Sequence, residues 1–291
     1  MIGIKLAYKA PETLKEALDL IGREGHQVLT ADQALVNGLK KGTSSSSLHT
    51  LVSLRKIPGL ATIDYENNEL RLGTSITYTD LLNHQALAHY PVLAQALATI
   101  PDPHLRHHST VGGALYHGGP VHAPVIAALM ALDATAVVLT RDKETRLPLQ
   151  YFSQSGLRVL LPLGGLLSAI VIPNTSLNAS TYLSLNQLSG RQRNYGIAAC
   201  VAQSDQTIDQ IRLVLAGFTE QPIQLKRVEE ALLGKTLTAD SIKMVAIEQL
   251  EQVKLPFQDG SLPEGYQRHL AGVALNRALT SLAKKTTQAV S

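Results

Sequence analysis

The 291-residue chain predicts an α+β fold: a first unit that runs to residue 174, then a C-terminal α+β domain of sheet plus helices over 175–291. Three observations carry this. The length allows more than one hydrophobic core. Strand-period and helix-period segments follow one another without an internal repeat. Finally, residues 174–180, Asn-Thr-Ser-Leu-Asn-Ala-Ser, form a polar linker between two apolar-patterned regions.

The first element is a short strand through Ile4 and Leu6, followed by a helix that begins at Thr13. Thr13-Leu14-Lys15-Glu16 is a capping box, in which a hydroxyl and a carboxylate accept N–H groups that the first turn leaves unpaired. Leu14, Ala17, Leu18 and Ile21 then recur at helical spacing, and Gly25 ends the unit. A second short strand, Gln27-Val28-Leu29, leads into residues 30–36, which read as helix or loop. Gly42-Thr43-Ser44-Ser45-Ser46-Ser47 has a linker composition.

Strands dominate from Leu51. Leu51-Val52-Ser53-Leu54 is one, and Thr62-Ile63-Asp64-Tyr65 and Glu69-Leu70-Arg71-Leu72 form a hairpin about Asn67-Asn68. A helix capped by Thr79 carries Leu81 and Leu82, and another covers 92–100 until Pro101 and Pro103 stop it. A buried helix near 124–132 and the strands Ala136-Val137-Val138-Leu139 and Ala169-Ile170-Val171-Ile172, closed by Pro173, complete the first unit. Beyond the linker, Tyr182-Leu183-Ser184-Leu185, 197–202 and 211–216 form a sheet, with helices at 226–233 and 239–253. The last helix, about 264–284, is expected to bury Tyr266, Leu270, Ala274, Ala278 and Leu282 at four-residue spacing.

Composition removes several function classes. The net charge of +3 is dispersed rather than gathered into a nucleic-acid footprint. No apolar run reaches the roughly 18–20 residues of a membrane span, and the start lacks a signal peptide's apolar stretch, so the expected location is cytoplasmic. The single cysteine, Cys200, lies in the apolar run Ile197-Ala198-Ala199-Cys200-Val201 and reads as a buried structural thiol. One cysteine builds no disulfide, iron–sulfur cluster or thiolate zinc site. No nucleophile–base–acid set for hydrolysis is visible.

The stretch His108-Ser109-Thr110-Val111-Gly112-Gly113-Ala114 carries the chemistry. Without Cβ atoms, the glycine pair lets the backbone approach a ligand, adopt positive φ and offer bare N–H groups to an anion, typically a pyrophosphate. An ordinary tight turn is the other reading. His104, His107, His108, His117 and His122 include a His-x-x-His spacing that a metal or haem could use, yet no acidic co-ligand accompanies them and loop residues read equally well. Tyr8, Tyr116 and Tyr195 could stack on an aromatic ligand or serve the core, and Arg191 and Arg193 could face a phosphate, a partner or solvent.

In this order of elements, five blocks resemble the FAD-binding middle subunit of the molybdenum hydroxylases, the group with carbon monoxide dehydrogenase and xanthine dehydrogenase. They are Tyr8-Lys9-Ala10-Pro11-Glu12-Thr13-Leu14, Leu51-Val52-Ser53-Leu54-Arg55-Lys56-Ile57-Pro58-Gly59-Leu60, Leu105-Arg106-His107-His108-Ser109-Thr110-Val111-Gly112-Gly113, Ser168-Ala169-Ile170-Val171-Ile172-Pro173, and the run from Gly265 through Leu279. The resemblance implies FAD between the two N-terminal subdomains, its pyrophosphate held by two glycine loops. It also implies electron transfer through flavin, a C-terminal domain that covers the flavin and docks subunits, and partner subunits carrying iron–sulfur and molybdopterin centres.

Carried over by position, the second loop gives Arg106, Thr110, Val111, Gly112, Gly113 and Ala114 as cofactor-binding residues. The first loop gives Thr30, Gln33 and Leu35. Ala114 stands where the family has Asn, Gly119 stands where it has the Asp of an Asp-Pro pair, and Ala31-Asp32 replaces the first loop's glycines. A carboxylate there opposes an anion. These departures keep a second function open: a flavoprotein-fold scaffold, assembly or binding protein without tight FAD binding.

Overall fold

The computed structural model describes residues 6–29, 48–151, 161–162, 164–174, 177–185, 195–219, 221–243, 248, 250 and 263–290. They form two compact units, one from Met1–Leu81, Asp102–His117 and Ala134–Pro173, the other from Leu82–Pro101, Gly118–Asp133 and Asn174–Ser291. Among the described residues no helix is long and apolar enough to cross a membrane.

The first unit contains two sheets. In the smaller, β1 (Ala7–Lys9) and β2 (His26–Leu29) flank β3 (Thr50–Ser53), and both pairings are parallel. A parallel pair needs a crossover, which α1 (Leu14–Ile21) supplies between β1 and β2. Its capping box is displaced by one residue. Thr13 Oγ1 accepts from Glu16 N as expected, but the Glu16 carboxylate accepts from Glu12 N, each at 3.2 Å. Ala17 and Leu18 bury against Val28, Leu54, Ile57 and Leu60.

The larger sheet is antiparallel, in the order β4 (Ile63–Glu66), β5 (Glu69–Gly73), β8 (Leu166–Pro173), β6 (Thr135–Leu139), β7 (Glu144–Pro148). Asn67 and Asn68 turn the expected hairpin with φ of 51° and 62°, the left-handed pair that matches strand twist in a two-residue loop. Central β8 is buried at every position before Pro173, consistent with its unbroken apolar sequence.

In the second unit β12 (Ile223–Gln224), β11 (Thr207–Ala216), β10 (Gly196–Ser204) and β9 (Ala179–Ser184) form an antiparallel sheet in that order. Ile197, Ala199 and Val201 of β10 and Ile211, Leu213 and Leu215 of β11 share a core with helices 226–232 and 264–290. Alternation turns Ala198, Cys200 and Val214 to the other face. Cys200 is fully buried, and loss of hydration pushes its thiol up to about 12, which makes it a core residue. On the outer edge, Gln95 Oε1 accepts from Thr181 Oγ1 at 3.0 Å and Tyr182 N at 2.8 Å, closing a strand margin that would otherwise invite pairing.

Several expectations change. The helix expected at Thr79 spans Tyr78–Asn83 and is capped by Thr77, whose Oγ1 accepts from Asp80 N at 3.1 Å. Pro103 opens the helix Pro103–His108 rather than only ending the one before, since its missing N–H costs nothing in a first turn. The sequence also left Val111–His117 as loop, and it is helical. In the last helix Tyr266 is 43% exposed, while Gln267, Ala271, Ala274, Leu275, Ala278 and Leu282 are buried. Strict four-residue spacing advances about 40° per step around a helix of 3.6 residues per turn, so it leaves the core face. Of the helix expected at 239–253, Ala239–Ser241 is described, while 244–247, 249 and 251–262 lie outside the described residues.

Candidate functional site

The carboxyl ends of parallel strands are where open α/β sheets bind ligands, and here a cavity of about 140 Å³ opens at the ends of β2, β3 and β5. Leu29 closes β2, Leu54 and Arg55 follow β3, and Thr74, Ser75 and Thr77 follow β5. His107 and Thr110 complete the wall. None of these lining residues is a carboxylate. Thr74 and Thr110 are buried, whereas Arg55 and His107 are exposed.

Backbone bonds assemble this wall. Tyr78 N donates to Ser109 O and Val111 N to Ile76 O, both at 3.0 Å, so that Thr77 and Thr110 face one another as an antiparallel bridge. Gly112 N then donates to Thr74 O at 2.9 Å, Gly113 N to Thr110 Oγ1 at 3.0 Å and Ala114 N to Thr110 O at 3.0 Å. Thr110 thus caps the helix that begins at Val111.

The glycine pair is therefore not a positive-φ nest. Gly112 and Gly113 are helical, and the positive φ values of this segment fall at Gly118 (63°) and Gly119 (94°). Gly112 is small for another reason: a Cβ there would lie 2.5 Å from Thr74 Oγ1 and 2.7 Å from Thr74 O.

Of the residues expected to bind the cofactor, Thr110 lines the cavity. Val111, Gly112, Gly113 and Ala114 lie buried behind it in the first turns of their helix. Arg106 sits half-buried on the helix Pro103–His108 and is not among the lining residues. Thr30, Gln33 and Leu35 lie outside the described residues, directly after the lining residue Leu29. Arg191 and Arg193 also lie outside them.

Sequence reasoning missed Arg55, Ser75 and Thr77. The signal available was position, just past the ends of two strands. Among the described residues no group of three or more His, Cys, Asp or Glu could hold a metal. His104 and His108 pack ring on ring with centroids 4.4 Å apart, and His107 faces the cavity. Tyr8 is exposed, and Tyr195 is buried edge-on to Phe218.

A parallel sheet whose carboxyl ends meet a wall with Arg55 and the hydroxyl groups of Thr74, Ser75, Thr77 and Thr110 suits an anionic ligand of the nucleotide class. Comparison with known proteins identifies which. Residues 4–175 match the model of the FAD binding domain in molybdopterin dehydrogenase, and residues 187–282 match the CO dehydrogenase flavoprotein C-terminal domain. The chain belongs to this family of FAD-binding subunits of molybdenum hydroxylases. It is 25% identical over 286 residues to the carbon monoxide dehydrogenase medium chain of Hydrogenophaga pseudoflava, covering 97% of this chain and 98% of that one. It is also 23% identical over 282 residues to the glyceraldehyde dehydrogenase medium chain of Sulfolobus acidocaldarius, covering 96% and 99%. Among solved structures, a chain of the Hydrogenophaga pseudoflava carbon monoxide dehydrogenase shares the fold with TM-score 0.87 at 24% identity, covering 98% of this chain and 99% of that one.

FAD is the cofactor of this family, and the described wall fits its phosphate-bearing part. Arg55 supplies positive charge, Ser75 and Thr110 supply hydroxyl groups, and no described lining residue is a carboxylate.

Proposed function

We propose that this chain is the flavin-holding subunit of a molybdenum-hydroxylase-type oxidoreductase, working beside iron–sulfur and molybdopterin subunits. The observation that carries the reading is the cavity at the ends of β2 and β3, whose described lining holds Arg55 and no carboxylate, inside the segment that matches the FAD-binding family model. The relatives support the partners, being named as medium chains. In this reading residues 1–58 and 59–174 are the two flavin-binding subdomains, and residues 175–291 the C-terminal flavoprotein domain. The complex works in the cytoplasm, in keeping with a lone buried thiol and a reducing compartment.

Bound FAD supplies the electron exchange, and the protein supplies binding and position. Arg55 neutralises phosphate charge. Ser75 and Thr110 stand at the same wall with hydroxyl groups, and Leu29 and Leu54 give it an apolar side that keeps water from the ligand. Thr77 is held differently, donating its hydroxyl to Asp80 Oδ2 at 2.6 Å, so it shapes the wall rather than binding.

The visible absorbance of the purified chain, before and after incubation with excess FAD and gel filtration, tests this. A retained flavin spectrum is expected. A chain that stays colourless after loading, yet copurifies with a partner, is a scaffold of flavoprotein fold instead.

A further inference from the structure

The glycine pair has no N–H group to spare for an anion. Val111, Gly112, Gly113 and Ala114 all donate within the protein, to Ile76 O, Thr74 O, Thr110 Oγ1 and Thr110 O. In sequence, Leu29 is followed by Thr30-Ala31-Asp32-Gln33-Ala34-Leu35-Val36-Asn37, which contains no glycine and includes a carboxylate. The amides of the glycine pair are thus engaged within the protein, and the sequence after Leu29 offers no glycine for the close backbone approach that phosphate capture uses.

Side chains offer what the backbone does not. Arg55 and His107 line the same cavity, both are exposed, and neither side chain makes a hydrogen bond or ion pair with another described residue. The neighbouring Lys56, by contrast, is engaged with Glu12 at 3.1 Å. Ser75 reaches the cavity between Thr74 and Thr77. At about 140 Å³ the space is well under the roughly 300–1,000 Å³ of pockets that enclose a whole small molecule, which suits it to a phosphate group rather than a flavin ring.

We propose that a side-chain clamp of Arg55 and His107, with Ser75 as hydroxyl donor, holds the diphosphate of the bound dinucleotide in this chain, in place of glycine-loop amides. The clamp rests on the flavin reading for its ligand, but its chemistry asks only for a nucleotide diphosphate. Because the water-exposed guanidinium of Arg55 carries its charge, binding weakens as salt rises.

The test is calorimetric titration of the full chain with FAD, ADP and riboflavin, at low and high salt, for wild type, Arg55→Met, the double variant Arg55→Met/His107→Gln, and Lys56→Met. Melting temperatures of all variants establish that they fold. The clamp predicts that FAD and ADP bind and riboflavin does not. It predicts that Arg55→Met weakens both by about tenfold or more and flattens the salt dependence, that the double variant weakens them further, and that Lys56→Met binds as wild type. If wild type binds FAD and the folded double variant binds it equally well, the clamp is wrong and the flavin reading stands. If wild type binds ADP with Arg55 dependence but not FAD, the clamp stands and the flavin reading falls. Binding of neither overturns both.

Discussion

Gly112 and Thr74 approach so closely that a Cβ on Gly112 would sit 2.5 Å from the Thr74 hydroxyl oxygen and 2.6 Å from the Thr74 Cβ. The glycine is therefore a packing residue. It lets the helix that begins at Val111 lie directly on the segment leaving β5, and Gly112 N–H bonds to Thr74 O at 2.9 Å from that position.

Gly112→Ala accordingly destabilises the folded chain by about 1–3 kcal/mol, the usual cost of overpacking a buried site. Replacing Thr74 by Ser at the same time does not relieve this, because serine keeps the hydroxyl oxygen and the Cβ that the added Cβ meets at 2.5 and 2.6 Å. Urea unfolding of the single and double variants checks it.

Gly272 behaves oppositely. It lies inside the long helix Glu264–Val290, where an added Cβ meets only Leu250 Cδ2 at 3.9 Å, an ordinary contact. Gly272→Ala should therefore raise stability by about 0.5–1 kcal/mol, the helix-propensity difference between the two residues. A higher melting temperature checks it.

Glu229 gives a signed pH dependence. Burial lifts its carboxyl above the ordinary 4.5, a rise moderated by the Leu213 N–H, the Gln224 amide and the nearby Arg212. Since the folded value is the higher one, its contribution is fully present below 4.5 and is lost as pH rises through the raised value. Lowering pH from neutral toward 4.5 therefore favours wild type over Glu229→Gln, which does not titrate.

At neutral pH, where Gln can still accept from Leu213 N, Glu229→Gln stays close to wild type. Glu229→Leu, which leaves the 2.7 Å bond from buried Leu213 N unmade, costs about 1–3 kcal/mol. Chemical denaturation of the three proteins at several pH values measures both effects.

Elements with a strong local signal were legible in the chain itself: the Thr13 cap, the Asn67-Asn68 hairpin, the unbroken apolar run of β8 and the buried helix Ala123–Ala131. Tyr266 was misplaced because four-residue spacing drifts off a helix face, and only the packed sheet decides which drift is buried. The site was half legible. The block around Gly112 marked the place and the family, but glycine there answers to Thr74, a contact between positions 38 apart in the chain that no local pattern encodes. Arg55, Ser75 and Thr77 stayed hidden for the same reason, since they follow strands of two different sheets and only tertiary packing brings them to one cavity.

Equilibrium dialysis of the purified full chain against FAD most directly tests the claim that this fold holds flavin at the ends of β2 and β3. About one FAD retained per chain, displaced by ADP and weakened in Arg55→Met, is the predicted result, because Arg55 is the fixed cation of the cavity. A folded wild-type chain that retains no FAD at saturating concentration would contradict it.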